Sequence, residues 1–302
     1  MPLTLTRDVL LKERTTLRLG GPALAEAVVS CEAGLDELAR ALSGLGGRPL
    51  ALGAGSNILA GDGPHELVLV RAANVAEPEV SAQPSGPDGK TILVRAGAGL
   101  RLPRLLGFCQ HAGLTGLESL TGVPGSIGGS VTMNAGSYGV ELGALLTRVR
   151  VWTPEGGLVW REATDCAFGY RHFNPEVTSG FWLVWEAEFA LRPEAPIAVR
   201  KRMETVYEKK KTSQPVTAKS AGCVFKNPEG APAGMGAGRL LDEAGVKGKR
   251  LGGMAFSTVH ANFLVNEGDG TAAEALELME CGRAAVFDRF GLDLETEVKV
   301  LP

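Results

Sequence analysis

The sequence predicts an α+β fold in more than one domain, on three observations. The chain has 302 residues, enough for two or three domains with substantial cores. Strand-like and helix-like segments follow one another without the regular βαβ period of a doubly wound parallel sheet, and through the middle third strands prevail. Glycine, 41 residues in all, is gathered into a few runs and forms no internal repeat. A hydrophobic content of 44% and a charged content of 22% fit an ordinary globular chain. A formal net charge of -3 supplies no basic field for nucleic acid. No apolar run approaches the length of a membrane span. The opening MPLTLTRDVLLKERTTLRLGG lacks a basic segment followed by an apolar one, so a cytoplasmic protein without a secretory signal is expected. The cysteines (31, 109, 166, 223 and 281) are odd in number and show no CxxC spacing, which argues against a disulfide framework or a metal site.

The elements follow in order. Residues 14–21, RTTLRLGG, read as a loop ending in a Gly-Gly turn. Leu35, Leu38, Ala39 and Leu42 share one helical face, and Gly44, Gly46 and Gly47 end that helix. Pro49–Leu52 is a short buried strand, and Leu67–Val70 is another. Residues 79–90, EVSAQPSGPDGK, read as an exposed hairpin or linker. A strand at Ile92–Arg95 precedes a helix marked by Leu102, Leu105, Leu106 and Cys109 and closed at Gly113. Leu146–Thr153 and Leu158–Arg161 form a hairpin. Over Trp182–Leu191, Trp182, Val184, Glu186 and Glu188 alternate with Leu183, Trp185, Ala187 and Phe189, as in a strand. Pro193 and Pro196 break the chain, and a charged helix follows over 197–211, stopped by Ser213-Gln214-Pro215. The last third predicts a helix near Gly238–Ala244, a strand His260–Asn266, and a helix opened by the capping box Thr271-x-x-Glu274 and running to Phe290. A closing strand, Leu294–Leu301, contains Glu295 and Glu297. The N-terminal segment and this closing strand are expected to pack together.

The stretch from Gly116 to Val140, GLESLTGVPGSIGGSVTMNAGSYGV, organises the chain. It carries no charge after Glu118, unlike a solvated linker. Glycine lets the backbone take positive φ and approach a flat or anionic partner, and successive amides in such turns can form an anion nest. This stretch is therefore read as lying along a dinucleotide. A second glycine turn, Gly53-Ala54-Gly55-Ser56-Asn57, follows a strand and invites a Rossmann reading. That reading fails, because Ile58 stands where the third glycine belongs and no acidic residue follows at the right distance.

Seven blocks in this order resemble the UDP-N-acetylenolpyruvoylglucosamine reductases, the MurB family: TTLRLGGPA (15–23), LGAGSNIL (52–59), GLESLTGVPGSIGGSVTMNAGSYGVE (116–141), FGYR (168–171), SAGCVFKNP (220–228), AGRLLDEAGVKGKRLGGMAFSTVHANFLVN (237–266) and EV (297–298). They span nearly the whole chain. The short distance from FGYR to SAGC resembles the subclass without an extra substrate-covering loop. The resemblance implies an FAD-binding fold of the vanillyl-alcohol-oxidase type with a separate C-terminal α+β substrate domain. It implies domains at 1–70 plus 292–302 and at 71–196 for FAD, and at 197–291 for substrate. The implied activity is reduction of an enolpyruvyl UDP-sugar by NADPH through FAD, in peptidoglycan precursor synthesis. The implied partner is a nucleotide-sugar, with no nucleic acid, membrane or obligate protein partner in evidence. The implied FAD contacts are Gly53, Ala54, Gly55, Ser56, Asn57, Gly122, Val123, Pro124, Gly125, Ser126, Gly128, Gly129, Asn134, Ala135, Gly136 and Tyr138.

In the same resemblance Cys223 takes the place of the proton donor, more often a serine. A thiol with a reference pKa near ~8.5 is mostly protonated at neutral pH and a far stronger acid than a hydroxyl. A cation such as Lys226 or Arg171 close by would leave a thiolate instead. Arg171 would pair with the substrate carboxylate, and Glu297 would face the developing enolate, with Glu295 its rival on the same strand face. Lys226, Asn227 and His260 match positions that hold the UDP-sugar, and Lys209–Lys211 are candidates for its diphosphate. Each residue also has a plainer reading: a buried thiol, a surface arginine, a solvated strand edge, a structural histidine. Two other functions stay open. One is a flavin oxidase on the same scaffold, for which His65 and His111 are the spare histidines. The other is a UDP-sugar-binding protein without flavin.

Overall fold

The apolar-rich segments 146–153 and 183–191 form neighbouring antiparallel strands, Leu146–Thr153 and Leu183–Pro193, inside a six-stranded sheet. The structure is a computed structural model that describes residues 1–85, 89–177 and 180–301. The chain divides into two units. The first comprises Met1–Arg7, Leu24–Ala54 and Glu66–Glu208; the second comprises Asp8–Ala23, Gly55–His65 and Lys209–Pro302.

In the first unit the six-stranded sheet runs in the order Gly157–Glu162, Leu146–Thr153, Leu183–Pro193, Thr91–Gly97, Glu79–Ser85, with Leu114–Thr115 paired to the end of the central strand. The segment expected as a hairpin or linker at 79–90 is thus half strand, and its residues 86–88 lie outside the described residues. A smaller sheet orders Leu3–Leu10, Pro22–Val29, His65–Ala72 and Arg48–Ala51, the last two parallel. Helix α1 (Ala33–Leu45) ends at Gly46 with φ 69° and turns Leu35 and Leu38 onto Ala27, Val29 and Val70. Helix α2 (Leu102–Ala112) ends at Gly113 with φ 64°, a left-handed cap that glycine takes without a Cβ clash. With the short helix α3 (Ile127–Thr132), α2 covers one face of the large sheet, where Leu105, Leu106, Ile127 and Val131 meet Val94, Ala187 and Phe189. The opposite face carries a ladder in which buried Glu188 accepts two bonds from Arg148, at 2.8 and 3.1 Å, and Arg148 stacks on Trp160 at 4.5 Å.

The expected alternation along 182–191 breaks. Val184 packs with Ala187 and Phe189 in one core, while Leu183 and Trp185 belong to another. The cause is a bulge: Val151 faces Val184 and Arg150 faces Glu186, so Trp185 has no opposite number and the faces exchange.

Helix α4 (Pro196–Ser213) leads into the second unit. There an antiparallel sheet runs Ser220–Cys223, Phe263–Asn266, Met254–Phe256, Arg250–Leu251. Helices α5 (Ala237–Glu243) and α6 (Ala272–Phe290) pack Leu240, Leu241, Leu278 and Met279 against Phe256 and Leu264, together with Leu17, Leu19 and Leu59. The capping box forms as expected, and the Asp62 carboxylate also accepts from the Ala272 amide at 2.8 and 3.0 Å. Two strands are shorter than expected. His260 lies in the turn before a strand that begins at Phe263. The closing strand covers only Lys299–Leu301 and pairs in parallel with Ile58–Ala60. Residues 295–297 pair elsewhere: Lys226 N donates to Glu295 O at 2.8 Å and Glu297 N to Val224 O at 2.7 Å.

Candidate active site

In the first unit the two glycine-rich stretches meet. A Cβ added at Gly53 would stand 2.6 Å from Ser126 Oγ and 3.4 Å from Gly129 Cα. Ser126 is the N-cap of α3, its hydroxyl accepting from Gly129 N. A Cβ at Gly128 would stand 2.9 Å from that of Ala98, and Gly128 N donates to Ala98 O at 2.9 Å. Gly122 and Pro124 are exposed, Val123 half-buried and Gly125 buried, with Gly122 at φ 81°. Gly53 and Ala54 are half-buried, and the unit boundary falls just after them. In the second unit Gly55, at φ 64°, would place a Cβ 2.1 Å from Arg14 O, and its carbonyl accepts from Thr16 N. A side chain at Gly53 would meet the Ser126 hydroxyl, one at Gly128 the Ala98 methyl, and one at Gly55 the main chain of Arg14, so close packing within the protein requires glycine at each. In the first unit Gly53, Gly128 and Gly129 carry no Cβ and lie close together, a surface poor in side chains that suits a flat dinucleotide.

Arg171, also in the first unit, is the second residue of the turn joining Ala167–Gly169 to His172–Asn174. It has φ 53°, stacks on Tyr170 at 4.6 Å, and donates from Nη2 to Gly136 O at 3.3 Å. Asn134, with φ 39°, and Tyr138, with φ 50°, are also left-handed. Such strain in non-glycine residues gathers where surrounding contacts over-determine the backbone, often at functional sites. Tyr138 is exposed, Ala135 is half-buried, and Asn134 is buried with its amide bonded within the protein.

The second unit brings Cys223 and Glu297 onto neighbouring segments. Gly222, at φ 78°, accompanies a register shift between Ser220 and Cys223 that re-aims the half-buried thiol at the strand end. Glu297 N donates to Val224 O, and Phe225 bridges to Thr296. Glu297 is half-buried, and its carbonyl accepts from Asn57 Nδ2 at 3.1 Å. Glu295 points outward and pairs with Lys226, so the cation expected to perturb Cys223 has a carboxylate partner of its own. Ser56, the neighbour of Asn57, is half-buried.

Asn227 Oδ1 accepts from Ala237 N at 2.9 Å and caps α5. The His260 ring lies against Gly238, where a Cβ would stand 2.4 Å from Cε1, and edge-on to Phe263. Its Nδ1 accepts from Asn262 N at 3.2 Å, which assigns the proton of the neutral ring to Nε2. Burial, helped by Lys247, pushes the His260 pKa down. Of the lysine run, Lys210 is 2% exposed, and burial lowers its pKa to about 8.

The sequence reading missed the side chains that hold these segments. Asn262 is buried; its Oδ1 accepts from Phe225 N at 2.9 Å and its Nδ2 donates to Phe225 O at 2.8 Å. Thr16 Oγ1 donates to Ser220 O at 2.6 Å. Nothing in a single sequence separates such an asparagine from a surface one.

A family model described as "UDP-N-acetylenolpyruvoylglucosamine reductase, C-terminal domain" matches residues 214–301, and one described as "FAD binding domain" matches residues 25–161. The chain is 50% identical over 291 residues to the UDP-N-acetylenolpyruvoylglucosamine reductase of Nitratidesulfovibrio vulgaris, covering 96% of each. It is 48% identical to that of Oleidesulfovibrio alaskensis, covering 100% of this chain and 99% of the other. It is similar to the crystal structure of UDP-N-acetylenolpyruvylglucosamine reductase (MurB) from Thermus caldophilus, with a TM-score of 0.81, 34% identity, and coverage of 99% of this chain and 100% of that one. Among the described residues no helix is long and apolar enough to cross a membrane.

Proposed function

This chain belongs to the UDP-N-acetylenolpyruvoylglucosamine reductase family, FAD-dependent oxidoreductases of peptidoglycan precursor synthesis, and we propose that it reduces UDP-N-acetylglucosamine enolpyruvate to UDP-N-acetylmuramate with NADPH, in the cytoplasm. FAD would lie along Gly53–Asn57 and the backbone of 122–129 and 134–138. When bound and reduced it supplies a hydride to the β-carbon of the enolpyruvyl ether.

The protein's part is charge and one proton. Arg171, pre-set by its turn and by Gly136 O, pairs with the substrate carboxylate and favours the enolate that forms as the β-carbon is reduced. The Cys223 thiol gives its proton to the α-carbon. Glu297 bears on the same enolate, and the engagement of Glu295 by Lys226 favours Glu297 for that role. Lys226, Asn227 and His260 would hold the UDP-sugar, a role supported by a neutral Nε2–H on His260 and by the loop that Asn227 fixes at α5. The observation that carries this reading is the pairing of the Cys223 strand with the Glu297 segment through Val224 and Phe225.

The purified protein should be yellow and oxidise NADPH when given the enolpyruvyl UDP-sugar. Cys223→Ser should keep turnover. Cys223→Ala should lower it by about a hundredfold or more, the usual worth of a general acid. Turnover of Cys223→Ala at the parent rate removes the thiol from the mechanism, and a colourless protein with full nucleotide affinity removes the reductase.

A further inference from the structure

We propose that Asn134 is a positioning residue for Arg171, fixing the guanidinium that the reductase reading places on the substrate carboxylate. The inference rests on that reading for its functional meaning and on geometry for its substance.

Asn134 follows α3 and is 1% exposed. Its φ of 39° is tolerated better by asparagine than by most residues. Both amide hydrogens are engaged: Nδ2 donates to Glu141 Oε2 at 2.9 Å and to Gly169 O at 3.0 Å. Oδ1 accepts from Gly143 N at 2.9 Å. A primary amide offers two donors and an acceptor in one small plane; aspartate offers no donor, and glutamine places the same plane one carbon further out. There is little room for adjustment, since a Cβ at Gly143 would stand 2.6 Å from the Phe168 ring and 2.9 Å from Asn134 Oδ1.

The amide therefore governs two supports of Arg171. Gly169 pairs with His172 and closes the turn that carries Arg171, so the bond to Gly169 O anchors the root of that turn. Gly136, whose carbonyl receives Arg171 Nη2, lies two residues after Asn134, and its path is set by the bonds of Asn134 to Glu141 and Gly143. A Cβ at Gly136 would stand 3.1 Å from Arg171 Nη1, so the guanidinium rests against bare backbone. With the amide gone, the turn and Gly136 O are no longer tied to one side chain, and Arg171, itself left-handed at φ 53°, keeps its stack on Tyr170 but loses that shared anchor.

The test is a double-mutant cycle on the FAD-loaded enzyme with the enolpyruvyl UDP-sugar. Asn134→Gly removes the amide and relieves the left-handed backbone at once. Asn134→Asp keeps the shape and turns donors into acceptors facing Glu141 and Gly169. Each should lower kcat/KM by roughly tenfold to a hundredfold in the parent and by less than about twofold in Arg171→Ala, because the effect passes through Arg171. Equal losses in both backgrounds, or parental kcat/KM in Asn134→Gly, overturn the proposal. Should Asn134→Gly not fold, Asn134→Asp with Glu141→Gln decides: the new amide returns a donor to the aspartate and should recover part of the loss, and no recovery is a refutation. If the parent itself does not reduce the sugar, the reductase reading falls by itself. Hydrogen exchange over residues 167–174 then judges the positioning, which predicts faster exchange in either Asn134 variant and is overturned by an unchanged profile.

Discussion

Gly53→Ala tests whether the two glycine-rich stretches are locked through one hydroxyl. The added methyl would stand 2.6 Å from Ser126 Oγ, while its next neighbours, Gly129 Cα at 3.4 Å and Gly129 N at 3.5 Å, are close to ordinary contact. Ser126 can escape only by turning its hydroxyl away from Gly129 N, which removes the N-cap of α3. The loss of a serine cap costs about 1 kcal/mol, less than the roughly 1–3 kcal/mol of an unrelieved overpacked contact, so rotation is the cheaper route. Gly53 is not in the left-handed region, so alanine also stabilises by about 0.4–1 kcal/mol through the unfolded chain. The net effect in the parent should be a loss of about 0.5 kcal/mol. In a Ser126→Ala background the cap is already gone and the close contact with it, so the same substitution should stabilise by about 0.5 kcal/mol. Urea unfolding at one fixed excess of FAD measures both values, because bound ligand shifts apparent stability. The reasoning is refuted if Gly53→Ala has the same sign and size in both backgrounds.

Other expectations follow from single contacts. Burial opposes the ionised form of Glu118, but bonds from Gly116 N and Thr115 Oγ1, both at 2.7 Å, and from Arg202 outweigh it and hold its pKa below the usual carboxylate range. A depressed folded pKa means stabilisation that is complete above the unfolded value near ~4.3 and lost as pH falls through the folded one. Urea midpoints taken below about pH 5 should therefore fall less steeply in Glu118→Gln than in the parent, and equal slopes would count against this account. Asp62→Ala should cost about 1 kcal/mol by freeing the Ala272 amide, a loss additive with one at the capping box only if the two caps act separately; thermal unfolding of both singles and the double decides.

Much of the fold was legible because its signals are local. Leu35 and Leu38 recur at helical spacing, Gly113 stands where α2 needs a left-handed cap, and Thr271 and Glu274 close a box within one turn. What escaped depends on partners distant in sequence. The bulge at Trp185 is set by the register of Val151 and Arg150, more than thirty residues earlier, and no alternation within 182–191 announces it. The closing strand begins late because residues 295–297 find partners in 224–226. Of the catalytic candidates, Cys223 and Glu297 lie on paired segments; their motifs carried them into view, but not the register that joins them.

Glycine and asparagine show why a site is harder to read than a fold. A glycine needed because Arg14 O or Ser126 Oγ lies where a Cβ would go is indistinguishable, in sequence, from one that makes room for a cofactor. Gly53 and Gly55 serve the first need, Gly53 against a side-chain hydroxyl and Gly55 against a main-chain carbonyl, and neither contact is announced by the glycine itself. The asparagines divide differently. Asn57 and Asn134 stand in stretches matched to the cofactor, yet their amides reach the Glu297 carbonyl and the root of the Arg171 turn, while Asn262 clasps the strand beyond Cys223. Each catalytic candidate thus has an asparagine at or beside its support. An amide suits that task because it carries no charge to disturb the thiol, guanidinium or carboxylate nearby, and yet can satisfy a backbone donor and a backbone acceptor together.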